Sequence, residues 1–560
     1  MRIVLASMHM EPSPRAVPLG PANLAAVLRR ERAGAIDPII IDLFLTESLD
    51  TCSERILAAK PDAVGLSIYL WNRRLAVAIT RRLKESRPDL IVFAGGPEAT
   101  YDHIRLLEES AIDFILTGEG EGIIVAAMDL LEAGTNPAEI PTIIPPVPMP
   151  DLARLPSPFL TGTLDTTRYS GLLWELSRGC AFLCDFCTEA KGIDSVRRFP
   201  MARVRAELDL FTATDVDQIF VLDPTFNWNK DKAKEILKYI LEIGCQTHFF
   251  FEVRSEFVDD ELAELFAAVS CTLQIGMQST DKEVLKNISR GMNRKDFEKK
   301  LLMLHEAGAR YGLDLIYGLP GDTPDLFRTS LDFALGLAPN HLDIFPLAVL
   351  PGTRLFVTAP SFGLEYQDHD PYHITASPTF DLPALQIATR LAASVDVFYN
   401  RGQAVPWFRM VIDALQIAPS EFFHRFASFQ DARNEGAPAQ PALSRDGTGP
   451  DLLNPESIIQ LQREFLIAAF TEAGKPAWGR VASDIAAYLG YSTLLEEGRL
   501  HLVDEPVTRT LSFDHDPRIV LEHLEMGITD LEEIASFVPA WACEARLFMG
   551  DEGIGIELDA

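Results

Sequence analysis

Short apolar runs alternate with longer amphipathic stretches over the first 140 residues of the chain. The runs fall at 2–6, 38–43, 63–69, 90–94 and 113–116, and the stretches between them include 23–32 and 75–86. Runs of this length read as strands, and apolar residues spaced by three and four read as helices. Strands alternating with helices predict an open parallel α/β sheet. Residues 141–165 then carry Pro141, Pro145, Pro146, Pro148, Pro150 and Pro156 without periodicity, which predicts an extended linker.

The strand–helix rhythm returns between 166 and 356, with strands expected at 172–176, 218–222, 247–253, 272–277, 313–317 and 342–347. Thr323 is placed to cap a helix whose first position is Pro324, and Phe327, Leu331, Ala334 and Leu335 share one face of it. Six such repeats predict a partial barrel, short of the eight that close one. Past 356 the rhythm fades. Residues 382–400 read as an amphipathic helix, 430–455 as a long loop, and 456–560 as mixed helix and short strand within a C-terminal region, 357–560, expected to cap the barrel mouth and shape a substrate pocket.

Polar and glycine positions gather where these strands should end. In the first segment they are Asn72 after the third run, Gly95-Gly96-Pro97-Glu98 after the fourth, and Gly118-Glu119-Gly120-Glu121 after the fifth. Ligands of open α/β sheets bind past the carboxyl ends of the strands, and glycine lets backbone approach them closely. In the second segment buried strands end in Asp223, Glu252, Gln278 and Asp314. Each alone is compatible with a hydrogen-bonded structural residue; together they point to a ligand at the barrel mouth.

Composition narrows the function classes. With 560 residues and 47% hydrophobic content the chain builds real cores in several domains. A net charge of −31 spread along the sequence disfavours nucleic acid and anionic membrane as partners. No apolar run of membrane-spanning length and no signal-peptide pattern is present, so a cytoplasmic protein with free thiols is expected.

The seven cysteines are sparse and odd in number, which argues against a disulfide framework. Cys52, Cys245, Cys271 and Cys543 stand alone among apolar neighbours, as inert buried thiols do. Cys180, Cys184 and Cys187 instead form one short run after the strand at 172–176 and the turn Ser177-Arg178-Gly179. Two readings compete: three ligands of a [4Fe–4S] cluster with one iron open, or a structural zinc site. Zinc lacks a nearby fourth ligand, and the cluster reading fits the spacing better.

The spacing CxxxCxxC with Phe186 before the last cysteine resembles the radical S-adenosylmethionine (SAM) enzymes. In that family the open iron chelates SAM, and one electron splits its sulfonium to give a 5′-deoxyadenosyl radical. Within the barrel the segments Phe249–Arg254, Gln274–Ser279, Arg290, Asp314–Thr323 and Leu350-Pro351-Gly352-Thr353 resemble the coproporphyrinogen-oxidase-like branch. That resemblance implies SAM contacts from Phe186, Asp223, Glu252, Gln278, Ser279, Arg290 and Asp314. Asp223 stands where the branch carries a glycine pair that meets the SAM amino group.

The α/β segment before the barrel makes the whole similar to the radical SAM family with a cobalamin-binding domain. The fold implied is a Rossmann-like (flavodoxin-like) domain at 1–140, the linker at 141–165, a partial (β/α)6 barrel at 166–356, and a mostly helical, mixed α/β C-terminal region. Cobalamin contacts are implied at Ser67, Tyr69, Trp71, Asn72, Gly95, Gly96, Glu98, Gly118, Glu119 and Gly120. The family's DxHxxG motif, which supplies an axial histidine, is absent; His9 lies in the loop where it would stand. The resemblance implies methyl transfer to an unactivated carbon or phosphorus centre of a small-molecule or natural-product substrate, with a flavodoxin- or ferredoxin-type electron donor. A non-methylating ring closure or rearrangement, and a cluster-based redox sensor, are the alternatives.

Overall fold

The structure is a computed structural model and describes residues 1–133, 139–147, 149, 151–189, 196–214, 216–433, 454–496, 508–550 and 553–558. Most of the loop expected at 430–455 lies outside the described residues. The chain divides into two compact units. The first comprises Met1–Ile275, Leu285–Arg310 and Leu347–Pro378; the second comprises Gly276–Val284, Tyr311–Pro346 and Thr379–Ala560.

In the first unit, β1 (Arg2–His9), β2 (Asp37–Phe44), β3 (Ala63–Ser67), β4 (Ile91–Gly95), β5 (Phe114–Leu116) and β6 (Ile143–Ile144) form one sheet in the order β2-β1-β3-β4-β5-β6. Every pairing is parallel. Ile3, Val4, Leu5 and Ala6 of β1 are all buried, as a central parallel strand covered on both faces requires. The order runs outward to β2 and then back through β3, so the sheet has a switch point between β1 and β3, where such folds open a crevice. The sixth strand falls in the segment whose prolines predict a linker. Ile143 and Ile144 are β-branched, and an edge strand tolerates the prolines that follow, because one side of its ladder is unpaired.

The helix Arg73–Ser86 covers this sheet with Ala76, Ile79, Thr80 and Leu83 buried at helical spacing. At its start Arg73 is 3% exposed and its guanidinium lies 2.7 Å from Glu98, 2.7 Å from Asp102 and 3.1 Å from Glu109. Tyr372 Oη donates to the same Glu98 carboxylate at 3.0 Å. Three carboxylates thus neutralise one buried cation, and a tyrosine from far along the chain holds one of them.

A second sheet runs in the order β14-β13-β12-β11-β10-β7. Its members are β7 (Gly171–Trp174), β10 (Gln218–Val221), β11 (His248–Val253), β12 (Cys271–Gln278), β13 (Arg310–Tyr317) and β14 (His341–Pro346). The pairs β7–β10, β10–β11 and β11–β12 are parallel in the first unit, and β13–β14 in the second. Six described strands make up this sheet, the number the repeats predict. Between β7 and β10 a short antiparallel ladder, β8 (Ser177–Arg178) with β9 (Arg197–Arg198), flanks the cysteine run. A two-stranded ribbon of β15 (Glu365–Tyr366) and β16 (Ile374–Ala376) completes the first unit.

In the second unit Thr323 caps Pro324–Gly336 by accepting from Leu326 N, and Phe327, Leu331, Ala334 and Leu335 are buried as the pattern predicts. The helix Leu382–Val395 runs into a π-helical turn, Asp396–Arg401. One extra residue per turn brings Asn400 to β14, where its amide accepts from Leu342 N at 3.0 Å and donates to Leu342 O at 2.9 Å. Phe398 on the same turn packs against Trp407, Phe422, Phe423, Phe426 and Phe465 in edge-on contacts. Helices Pro455–Glu472 and Pro476–Glu496 and an antiparallel sheet, β17 (Thr508–His515), β18 (Ala540–Gly550) and β19 (Gly553–Leu558), end the described chain. No helix among the described residues is long and apolar enough to cross a membrane.

Removing one partner of a buried ion pair leaves an uncompensated charge and costs about 3–5 kcal/mol. Arg73→Met is therefore expected to lower the urea midpoint of the first unfolding transition by a corresponding amount. An unchanged midpoint would show that Glu98, Asp102 and Glu109 hold the domain without their cation.

Candidate active site

A cavity of about 1000 Å³ opens over the carboxyl ends of β1, β3, β4 and β5, within the first unit. Its floor is Leu5, Gly65, Leu66, Phe93 and Leu116. Gly65 is needed there: a Cβ at this position would stand 2.4 Å from the Phe93 ring. Of the residues assigned to cobalamin by resemblance, Ser67, Tyr69, Gly95, Gly96, Gly118, Glu119 and Gly120 line the cavity. Gly96 (φ 100°) could not carry a side chain either, since its Cβ would meet Ile68 O at 2.7 Å.

Three assigned residues stand apart from the lining. Trp71 is 51% exposed and stacks on Tyr69, ring centroids 4.5 Å apart. Asn72 is buried and ties the loop after β3, its Oδ1 accepting from Tyr69 N at 2.8 Å and its Nδ2 donating to Ser67 O at 3.0 Å. Glu98 is the partner of Arg73 described above. His9 is engaged with Asp42 at 2.9 Å, and none of the described lining residues is a histidine.

The cavity's far wall is built from residues flanking the cysteine run: Glu175, Ser177, Arg178 and Gly179 before it, Thr188 and Glu189 after it, with Leu222 and Pro224 beyond β10. Here a ladder of charges joins the two halves of the cavity. Arg178 bonds Glu121 at 2.6 Å and Glu175 at 2.8 Å and lies 3.8 Å from Glu119, which pairs in turn with Arg197. Burial pushes the Glu175 carboxyl up despite Arg178 beside it. Sequence reasoning placed Ser177-Arg178-Gly179 in a turn and missed the ladder. Its signal was a charged pair, Glu175 and Arg178, interrupting an otherwise apolar strand end.

The cysteine run has no regular structure of its own, and its backbone is held mainly from outside. Asp185 N donates to Ile288 O at 3.1 Å, Leu355 N donates to Asp185 O at 2.8 Å, and Cys187 N donates to Cys184 O at 3.2 Å. Arg290 Nη1 lies 3.9 Å from Cys184 Sγ, and Glu189 N donates to Cys187 Sγ at 3.4 Å. Burial raises the Cys180 thiol and pushes Cys187 up to about 11. Thiols so placed ionise only when a cation is supplied, which a bound metal does outright. No three His, Cys, Asp or Glu side chains among the described residues converge in a metal-holding group. The donor set itself, three thiols on one loop, is the soft set an iron–sulfur centre takes.

The residues assigned to SAM fall in both units. In the first, Arg290 sits at Cys184 and Glu252 is exposed at the end of β11. Phe186 is half-buried in the cysteine run. Asp223 is buried and accepts from Leu176 N at 2.7 Å, from Ser177 N at 3.2 Å and from the Ser177 hydroxyl, so it anchors the chain entering the cysteine run. In the second unit, Asp314 is half-buried and opposite Asp343 across the β13–β14 ladder. Ser279 Oγ accepts from Asp281 N at 3.2 Å. Gln278 adopts φ 66°, and its buried Oε1 has no partner. A buried acceptor left open in this way is rare in folded proteins and fits a ligand donor.

Comparison with known proteins supports the two-part reading. Residues 174–334 match the Radical SAM superfamily and residues 11–128 match the B12 binding domain. The chain is 29% identical over 361 residues to the cobalamin-dependent radical SAM methyltransferase TokK of Streptomyces tokunonensis, across 58% of this chain and 52% of that one. It is 28% identical over 336 residues to 2-(S-pantetheinyl)-carbapenam-3-carboxylate methyltransferase of Streptantibioticus cattleyicolor, across 53% and 48%. The chain thus spans about half the length of these curated relatives. The cobalamin-dependent SAM radical enzyme OxsB, solved with aqua-cobalamin and SAM, shares the fold with a TM-score of 0.59 at 14% identity, over 95% of this chain and 84% of that one.

Asp223 gives this site a pH signature. Burial outweighs its three hydrogen bonds and pushes its carboxyl from 3.8 to about 6. The group's contribution to stability is complete below about pH 3.8 and is lost as pH rises through about 6, a difference of ~3 kcal/mol. Asp223→Asn is expected to remove that loss. In urea unfolding of the apo-protein the wild type should lose stability relative to the variant between pH 4 and 7. Parallel pH profiles would contradict the assignment.

Proposed function

We propose that this chain, a member of the radical SAM enzymes that carry a B12-binding domain, catalyses methyl transfer to an unactivated carbon or phosphorus centre of a small-molecule or natural-product substrate. The observation that carries the reading is the shared cavity: the strand ends of the B12-type sheet and the residues flanking the cysteine run face one space. When bound, the cluster supplies one electron to the SAM sulfonium and cobalamin carries the methyl group.

The chain's own residues bind, aim and shield. Cys180, Cys184 and Cys187 would hold the cluster, with Arg290 placing positive charge at Cys184. Arg290, Glu252, Phe186 and Asp223 in the first unit, and Gln278, Ser279 and Asp314 in the second, are assigned to SAM. Gln278 Oε1 is an acceptor in need of a donor. Ser67, Tyr69, Gly95, Gly96, Gly118, Glu119 and Gly120 would contact cobalamin, the glycines by letting backbone reach the macrocycle. Asn72 and Glu98 then act by holding the loops that carry those contacts, and Trp71 by backing Tyr69. An apolar floor keeps water from a reactive site, which is the protein's share of cofactor chemistry. The described residues that would hold cobalamin include no histidine, so their contacts to it would come from backbone and from Ser67, Tyr69 and Glu119.

The methyltransferase descriptions of the two relatives support the reaction class. The electron is assigned to a flavodoxin- or ferredoxin-type donor. The net charge of −31 favours small-molecule over nucleic-acid or membrane partners, and a cytoplasmic setting keeps the thiols reduced.

Anaerobic reconstitution tests the proposal. About four irons per chain are expected, with cobalamin visible by its absorbance, and incubation with SAM should yield both S-adenosylhomocysteine and 5′-deoxyadenosine. Cys184→Ala should abolish 5′-deoxyadenosine formation. Deoxyadenosine formed by wild type without any cobalamin requirement would reject methyl transfer in favour of another radical outcome. Reconstituted protein that never cleaves SAM would favour a sensor.

A further inference from the structure

The turn Leu350-Pro351-Gly352-Thr353 stands out in the sequence yet takes no part in the assignments above. Gly352 adopts φ 78°, and a Cβ there would lie 2.5 Å from the ring of Tyr101. Glycine is therefore demanded twice, by the backbone and by the ring packed on it. Tyr101 ends the short helix Pro97–Tyr101, which springs from Gly95-Gly96 after β4, and it lines the cavity. Its hydroxyl donates to Thr188 O at 3.2 Å, the carbonyl immediately after Cys187.

The same turn reaches the middle of the cysteine run. Thr353 accepts from Phe356 N at 3.0 Å and so starts the helix Arg354–Thr358. Leu355 N on that helix donates to Asp185 O at 2.8 Å, between Cys184 and Phe186. One tyrosine of the B12-type domain thus braces both ends of the limb from Cys184 to Thr188. It does so directly at Thr188 and through the Gly352 turn at Asp185. Gly352, Thr188 and Asp185 all lie within the first unit.

We infer that Tyr101 is a positioning residue: it sets the Cys184–Thr188 limb, and with it the cluster, at a fixed place against the cavity. The inference rests on the proposed cluster. It makes the geometry of the cluster a property that the B12-type domain helps to set.

Tyr101→Phe keeps the ring against Gly352 and removes only the hydroxyl. In full-length reconstituted enzyme, iron and bound cobalamin are expected to stay at wild-type levels. The electron paramagnetic resonance spectrum of the reduced cluster with SAM should change in line shape or g-values. Formation of 5′-deoxyadenosine should slow about three- to tenfold, the range of one lost neutral hydrogen bond. Gly352→Ala, which drives the ring from its seat, should change the spectrum further in the same direction; if it fails to fold, Tyr101→Phe decides alone. A Tyr101→Phe enzyme with the wild-type spectrum and rate overturns the inference. So does one that loses iron in proportion to activity, because that role is cluster assembly. Wild type that takes up no iron overturns the proposed function, and this inference with it.

Discussion

An irregular loop that must present three thiols has no ladder of its own to hold it, and the rest of the first unit is organised around that constraint. Buried backbone groups need partners, and here they come from four directions. Ile288 and Leu355 take the N–H and C=O of Asp185, Tyr101 takes the carbonyl of Thr188, and Asp223 takes the two N–H groups that lead into the run. The sheet strands are the fixed points from which these groups reach. Shape at the cysteines is thus inherited from regular structure on several sides.

Charge follows the same logic. Arg73 and Arg178 are both nearly buried, and both are surrounded by carboxylates of separate segments. Each interaction is of little net worth against well-packed apolar residues, but an unpaired member is costly. The two networks therefore act less as cement than as a check on assembly. The B12-type loops and the segment before the cysteines fit only when every partner has arrived.

Much of this was legible in the residue order. β1, β3 and β4 are near-continuous apolar runs because parallel strands are covered on both faces, and Thr323-Pro324 marks a helix start that needs no tertiary information. Gly95-Gly96 and Gly118-Glu119-Gly120 fall at strand ends and line the cavity. Local sequence was silent where partners are remote. Glu98 reads as a loop carboxylate after two glycines, yet its place is decided by Arg73 and by Tyr372, 274 positions away. Asn72 reads as a ligand amide and instead closes its own turn. Tyr101 and Arg178 gave no periodic signal, since their roles depend on Thr188, Gly352 and Glu121, which only the fold brings near.

The π-helical turn at Asp396–Arg401 has a consequence far from chemistry. β14 is the last strand of its sheet, and its outer side would offer bare N–H and C=O groups to any passing chain. Asn400 answers both polar groups of Leu342 with a side-chain amide that imitates a neighbouring peptide. A single inserted residue in a helix thereby fills, at Leu342, the place where the backbone of a further strand would pair.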